Sequence, residues 1–390
     1  MDNNILKKKK IILILKEDII NFPPVLSIIQ CLIDLGMSVI HIGVFSDKQQ
    51  QESYEKAGVT FLKTTPYNGN ANPLKKLFLQ LKFRHEVLGY IKNIVVSNTD
   101  IIWLIQSETI ILLNNLVEKY NCILHQFEYS GNQINWKYKL LAPRLNLPSL
   151  FRKAYKVVSC EYNRAHITKG LFQLDTVPII LPNKMIFDEK KLENIPNDIK
   201  EIVNTIKNRI AKKKMILYQG IFLDEERRLE EFCQAINLLP EDYIFVAMGT
   251  GSEMYFNLKK KYESDRVLFI PFIRPPYHML ITKEAYIGVL TYFPRPYSIN
   301  SVINPIYCAP NKIFEYAKYG VPMISNDIPA LHYIFNEYSC GKCINYPITP
   351  NSIVNNIHLI ENFYEELSSG AKRYYASTDI YNIIKNEIIG

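Results

Sequence analysis

The feature that most constrains this chain is an alternation, run twice, of short β-branched stretches with amphipathic ones. Residues 11–15, 38–44, 101–105, 122–127 and 157–160 read as strands separated by helices, the pattern of a parallel sheet. Residues 24–35 place apolar side chains at helical intervals and stop at Gly36, which predicts a βαβ opening. At 177–183 a strand-like run meets Pro182 and Asn183, and a polar, charged segment continues to Lys214; the domain hinge is expected there. A second series follows, with strands at 215–219, 244–248, 267–270, 287–290 and 323–325 and a helix near 229–238. Two α/β halves facing each other across a cleft are expected, a usual place for a ligand.

The 390 residues suit two domains at roughly 100 to 200 residues each. The expected division is 1–181, 182–370 and a helical segment 371–390 that packs back on the first domain. No apolar run approaches the roughly 18 residues that would cross a bilayer. Lys7 to Lys10 followed by residues 11–15 imitates a signal peptide, but the apolar run ends at once in Lys16, Glu17 and Asp18, so a first buried strand is the better reading. Seven scattered cysteines form no disulfide framework, which favours a reducing compartment, the cytoplasm. Cys340 and Cys343 make one CxxC without a second pair at zinc-finger spacing. The net charge of +8 belongs to the first half: residues 1–180 hold 22 Lys/Arg against 14 Asp/Glu, and residues 181–390 hold 24 against 24. Such asymmetry points to an acidic substrate, an anionic membrane surface or nucleic acid, and no recognised motif supports the last.

Residues 309–322, reading APNKIFEYAKYGVP, carry the strongest chemical signal. Pro310 and Asn311 open a short helix, Gly320 closes it, and Pro322 leads into a buried strand. The free amides of such a helix start bind phosphate, and Lys312 adds a cation there. Glu315, read as still within the first turn, either accepts hydrogen bonds from sugar hydroxyls or complements the helix dipole.

This stretch resembles the donor-binding motif of GT-B glycosyltransferases, especially the retaining family 4-like enzymes. The resemblance implies two Rossmann-like α/β domains, the first holding an acceptor and the second a nucleotide sugar, with Glu315 on the ribose and the helix start and its cation on the diphosphate. Residues 215–229, MILYQGIFLDEERRL, resemble the family's opening strand, its glycine turn at Gly220 and a phosphate-binding basic residue at Arg227. Where many relatives have Arg after that glycine this chain has Ile221, a gap that Arg228 or Lys312 would have to fill. The alternative for Arg227 is an ion pair with Glu230 or Glu231. Residues 244–251, IFVAMGTG, resemble the strand and glycine turn beside the base, with Gly249 and Gly251; the third glycine of a dinucleotide fingerprint is missing. A long loop is expected over 291–311, above the donor sugar, and Tyr307 stands where the family's fuller pattern has a second Glu.

In the first half the strand ending in Glu128 resembles the family's strand ending in a His-Asp or His-Glu pair near the reactive sugar. Glu128 takes the acidic position and the catalytic assignment. Phe127 replaces the His, and His125, on the strand face opposite Glu128, reads as a buried structural residue.

The function expected is glycosyl transfer, with retention of configuration implied by the resemblance alone, from a nucleotide diphosphate sugar to a glycan or lipid-linked acceptor in surface polysaccharide biosynthesis. The alternatives are a sugar-nucleotide epimerase of the same fold and a catalytically inactive donor-binding partner subunit. No cofactor and no metal are expected, because no DxD-like acidic pair is present to hold a divalent ion on the diphosphate. A peripheral position at the inner face of the plasma membrane is expected from two basic clusters with apolar neighbours. One runs from Lys75, Lys76, Lys82 and Arg84 with Leu77, Phe78, Leu81 and Phe83. The other runs from Lys137, Lys139, Arg144, Arg152 and Lys153 with Trp136, Tyr138 and Phe151.

Overall fold

A computed structural model describes residues 9–94, 96–131, 136–186, 189–192, 195–223 and 225–390, which divide into two α/β units. One unit reaches Ile186 and takes back Asp379–Gly390; the other ends at Thr378. The division falls a few residues after the expected 181/182 boundary, and the segment 371–390 is split. The Tyr364–Ser377 helix buries Ala371 and Tyr374 in the core of the second unit. Lys7 and Lys8, and the side chains of Trp136 and Lys137, lie outside the described residues.

The first unit is a seven-stranded parallel sheet in the order β3-β2-β1-β4-β5-β6-β7. Its strands are β1 Lys10–Asp18, β2 Ser38–Val44, β3 Thr60–Lys63, β4 Ile101–Ile105, β5 Cys122–Gln126, β6 Lys156–Ser159 and β7 Ile179–Ile180. The central β1, β4 and β5 are nearly continuous apolar runs because helices cover both faces of such a sheet. Four-residue β3, at a sheet edge and only half-buried or exposed, carries too little pattern to be read from sequence, whereas two-residue β7 lies within the strand-like run before Pro182. The returning residues 379–390 bury Ile380, Ile384, Ile388 and Ile389. Lys9 Nζ donates to the Ile389 carbonyl at 2.8 Å and Lys156 Nζ to the Glu387 carbonyl at 2.7 Å, so two lysines of the sheet satisfy acceptors that a helix end leaves open.

The second unit is a six-stranded parallel sheet in the order β10-β9-β8-β11-β12-β13. Its strands are β8 Lys214–Ile221, β9 Tyr243–Thr250, β10 Val267–Pro271, β11 Ala285–Leu290, β12 Met323–Asn326 and β13 Gly341–Ile344. Alternate side chains feed two cores: Met215 and Leu217 enter one, Ile216 and Tyr218 the other. Two expectations are corrected here. The polar segment before Lys214 contains the helix Asn197–Ile210, which buries Ile199, Val203, Ile206 and Ile210 behind a face of charged residues that hid their spacing. The expected loop over 291–311 contains the helix Ile299–Ile306, opened by a reciprocal cap between Ser298 and Ser301. Pro305 lies within that helix without leaving its partner stranded. The Ser301 carbonyl, which a residue with an N–H at 305 would engage, accepts from the Arg295 N–H at 3.0 Å instead.

The two basic clusters also differ from expectation. Phe83, Tyr138 and Phe151 are core residues, Arg152 donates to the Phe172 carbonyl, and Lys153 pairs with Glu118. Along the Pro73–Asn93 helix, however, Leu74 (80%), Phe78 (62%) and Leu81 (47%) are exposed. No described helix is long and apolar enough to cross a membrane. All seven cysteines are free thiols, six buried and Cys343 half-buried.

Candidate functional site

The apolar strand β8 ends in Gln219 and Gly220. A buried amide at a strand end needs partners, and Gln219 has two: its Nε2 donates to Glu315 Oε2 at 2.5 Å and its Oε1 accepts from Thr282 Oγ1 at 2.7 Å. Glu315 comes from the helix Asn311–Lys318, which follows Pro310 without a side-chain cap hydrogen bond among the described residues. As the fifth residue of that helix, Glu315 lies beyond the first turn, which corrects the sequence reading and removes the simple dipole role. It is buried, and its Oε1 is 3.3 Å from His278 Nε2. Burial pushes its pKa up, but His278, Lys312 and the Gln219 amide outweigh burial and hold it below the usual value. The outcome is a fixed, ionised acceptor.

Beside it two cations converge. Arg227 is largely buried; its Nη1 is 2.5 Å from Glu226 Oε1 and its guanidinium lies 4.4 Å from the Tyr292 ring centroid. Glu226 also reaches Arg295 Nη2 at 3.2 Å, so one carboxylate serves two guanidinium groups. This replaces the expected alternative of an ion pair with Glu230 or Glu231. Lys312 Nζ lies 4.5 Å from the Tyr218 ring centroid and 5.5 Å from that of Tyr292. Among the described residues no carboxylate stands within 4.0 Å of it. Burial, and then the charge of Arg227, pull its pKa down to about 7 against the opposing pull of Glu315.

The glycines allow this crowding. Gly220 has φ +138°, and a Cβ there would lie 2.9 Å from Lys312 Nζ. Gly249 stands opposite Gly220 in the β8–β9 register, and a Cβ on it would fall 1.8 Å from the Gly220 carbonyl oxygen. Gly251, exposed past the end of β9, has Phe256 3.0 Å from where its Cβ would be. Ile221 is exposed, and Arg228 is engaged in two bonds to Glu231, whereas Lys312 sits against Gly220.

The second unit thus brings together Gly220, Arg227, Gly249, Lys312 and Glu315, with Pro310 and Asn311 at the helix start. Sequence reasoning missed Gln219, Thr282, His278, Glu226 and the two tyrosine rings. Only Gln219 carried a usable signal, a polar side chain closing an apolar strand just before a glycine. In the first unit Glu128 is exposed just past β5. His125 is fully buried between the rings of Trp103 and Phe127, 5.9 and 4.4 Å away, with neither ring nitrogen partnered among the described residues; burial takes its pKa down to about 3. A further charged group, unread in the sequence, closes β1: buried Lys16 pairs with Glu108 and, at 3.3 Å, with Glu17, under the Tyr67 ring.

No family model matches the sequence, and no curated protein does. Solved structures do resemble it. A glycosyltransferase from Rickettsia africae superposes with TM-score 0.66 at 13% identity, over 97% of this chain and 99% of that one. HepE of Anabaena, solved in complex with UDP, gives 0.64 at 13% identity over 97% of both chains. WaaG, a glycosyltransferase involved in lipopolysaccharide biosynthesis, gives 0.59 at 13% identity over 96% and 97%. The shared feature is the fold: the chain has the two-domain α/β architecture of GT-B glycosyltransferases.

Proposed function

We propose that this chain is a glycosyltransferase that takes a sugar from a nucleotide diphosphate sugar and passes it to a glycan or lipid-linked acceptor, in surface polysaccharide biosynthesis, with retention at the anomeric carbon. The observation that carries the reading is the pair of desolvated cations, Lys312 and Arg227, beside an uncapped helix start and a buried, ionised carboxylate. A diphosphate supplies the negative charge that Lys312 lacks, and the amides of Asn311 and Lys312 add donors. Glu315, fixed by Gln219 and His278, accepts from ribose hydroxyls. The glycine turn of Gly249 and Gly251 lies beside the base in this reading. HepE, which has the same fold, was solved with UDP and with UDP-glucose.

Catalysis in this reading is electrostatic. As the bond from the anomeric carbon to the diphosphate oxygen breaks, negative charge grows on the leaving group, and Lys312 and Arg227 are in place before it does. Their two charges do what a divalent cation does elsewhere, so the transfer calls on no metal. Glu128 in the first unit serves the acceptor hydroxyl by positioning it or taking its proton. The exposed stripe Leu74, Phe78 and Leu81, flanked by Lys75 and Lys82, meets an anionic membrane at the inner face of the plasma membrane.

Incubation with labelled nucleotide sugars and lipid or glycan acceptors tests the reading. Acceptor-dependent release of nucleoside diphosphate supports it; epimerised donor without acceptor, or binding without turnover, replaces it with one of the two alternatives. Glu128→Gln should lower turnover and leave donor affinity unchanged. Flotation with anionic but not neutral liposomes, lost at high salt and in Phe78→Ser, tests the membrane contact.

A further inference from the structure

Three side chains that the proposed transfer does not use converge at the ends of β12 and β13. Asp327 follows β12, His332 stands on the Pro329–Tyr338 helix, and Cys343 lies on β13. One ligand atom from each falls within 4.8 Å of the others. Their backbone is pinned: β12 and β13 pair with Ser325 opposite Cys343, the Asp327 N–H donates to the Ile344 carbonyl at 3.2 Å, and the His332 N–H donates to the Ile328 carbonyl at 2.9 Å. The side chains are oriented as well. His332 Nδ1 is 2.7 Å from Asp327 Oδ1, and Ser325 Oγ is 3.5 Å from Cys343 Sγ.

We propose that Asp327, His332 and Cys343 form a binding site for zinc, with three protein ligands and a fourth position open to water. The donor set decides the metal: a thiolate, an imidazole and one carboxylate suit a borderline-soft, four-coordinate cation and do not suit magnesium or calcium, which take oxygen ligands. The Asp327–His332 contact of 2.7 Å is a hydrogen bond, tighter than two ligands of one ion stand, so binding replaces that bond. When Nδ1 takes the metal, the proton it donated to Asp327 passes through solvent to Nε2, so the imidazole stays neutral, and the Cys343 thiol loses its proton to solvent, one proton released per ion bound. Ser325, buried beneath, remains to hydrogen-bond the thiolate, the supporting contact that such ligands usually have.

The site changes the reading of the CxxC. Cys340 is fully buried and its Sγ turns to the Ile334 carbonyl, 3.8 Å away, so it is not the partner of Cys343. The ligands come instead from three successive elements, at positions 327, 332 and 343, a spacing that no zinc-finger pattern covers. Bound zinc would tie β12, the helix after it and β13 together at one end of the sheet.

Calorimetric titration of the whole chain with zinc chloride, in two buffers of different ionisation enthalpy, tests the proposal. One equivalent should bind with release of one proton. His332→Gln, at an exposed position, and the near-isosteric Cys343→Ser should each weaken binding at least roughly tenfold, since even supporting residues are worth that much. Cys340→Ala should leave it unchanged. Zinc should also slow alkylation of Cys343, the least buried of the seven thiols. Absence of zinc binding by the folded wild type, or binding that survives both ligand substitutions, overturns the site.

Discussion

Each unit desolvates a lysine, Lys16 fully buried and Lys312 partly so, and the two are treated in opposite ways. Lys16, in the first unit, is desolvated but held between Glu17 and Glu108, so its charge is answered within the protein. Lys312, in the second, is desolvated beside Arg227 and two tyrosine rings with no carboxylate in ion-pair range among the described residues. Burial lowers the pKa of both, yet only Lys312 is left with its charge unanswered. Buried charge is therefore a poor marker of a ligand site by itself; an unbalanced buried charge is a good one, because an incoming anion removes the penalty.

Three substitutions or conditions break or sharpen this contrast. The largest effect is expected from Glu315→Ala, which removes the proposed ribose acceptor and strips Gln219 and His278 of their partner. At about 1.5 to 3 kcal/mol per charge-assisted bond, the affinity for a nucleoside diphosphate should fall roughly tenfold to a hundredfold. Arg227→Ala should fall in the same range. Calorimetry reads both, and unchanged affinity in both folded variants would dissolve the contrast.

The second effect is in pH. Lys312 is half-protonated near pH 7 in the free protein, against an ordinary 10.5. A bound diphosphate raises that pKa, so below pH 7 the ammonium is already charged and above it a proton must be taken up. Donor affinity should drop by up to roughly tenfold per pH unit above 7, with proton uptake visible in buffers of different ionisation enthalpy. Lys312→Met should bind weakly and flatly with pH. Glu17→Gln, acting on the balanced lysine, should leave the donor profile where it was.

The smallest effect belongs to the first unit. His125→Leu replaces an imidazole whose two nitrogens find no partner among the described residues, and should stabilise the protein by about 1 kcal/mol at neutral pH in chemical denaturation. The folded chain keeps His125 neutral down to about pH 3 while the unfolded chain protonates it near 6.5, so the residue costs the fold progressively more stability as pH falls from 6.5 towards 3. The Leu variant should show a shallower acid limb. A destabilised variant would mean that the ring has a role that shape and dryness do not explain.

Much of the fold was legible because parallel strands covered on both faces write themselves as unbroken apolar runs; β2 and β4 have the ends the sequence predicts. What escaped were short edges such as β3, and helices whose exposed faces outnumber their buried ones, such as Asn197–Ile210. The helix Ile299–Ile306 escaped as well, because the sequence does not reveal that the Arg295 N–H would take over the Ser301 carbonyl that Pro305 leaves open. In the site, residues from one local motif were visible, Asn311, Lys312 and Glu315 above all. Their partners were not, because Gln219 and His278 reach Glu315 from distant stretches of chain and neither has a periodic or spaced signature.

The return of residues 379–390 to the first sheet has a consequence for biosynthesis. The isoleucines of this segment, and the carbonyls that Lys9 and Lys156 hold, are synthesised after every residue of the second unit. The unit begun first is thus the one finished last. A nascent chain passes through a stage with a complete second sheet and a first sheet still lacking its cover, and a product that stops at Thr378 would be held at that stage, with apolar surface open to aggregation and to quality control.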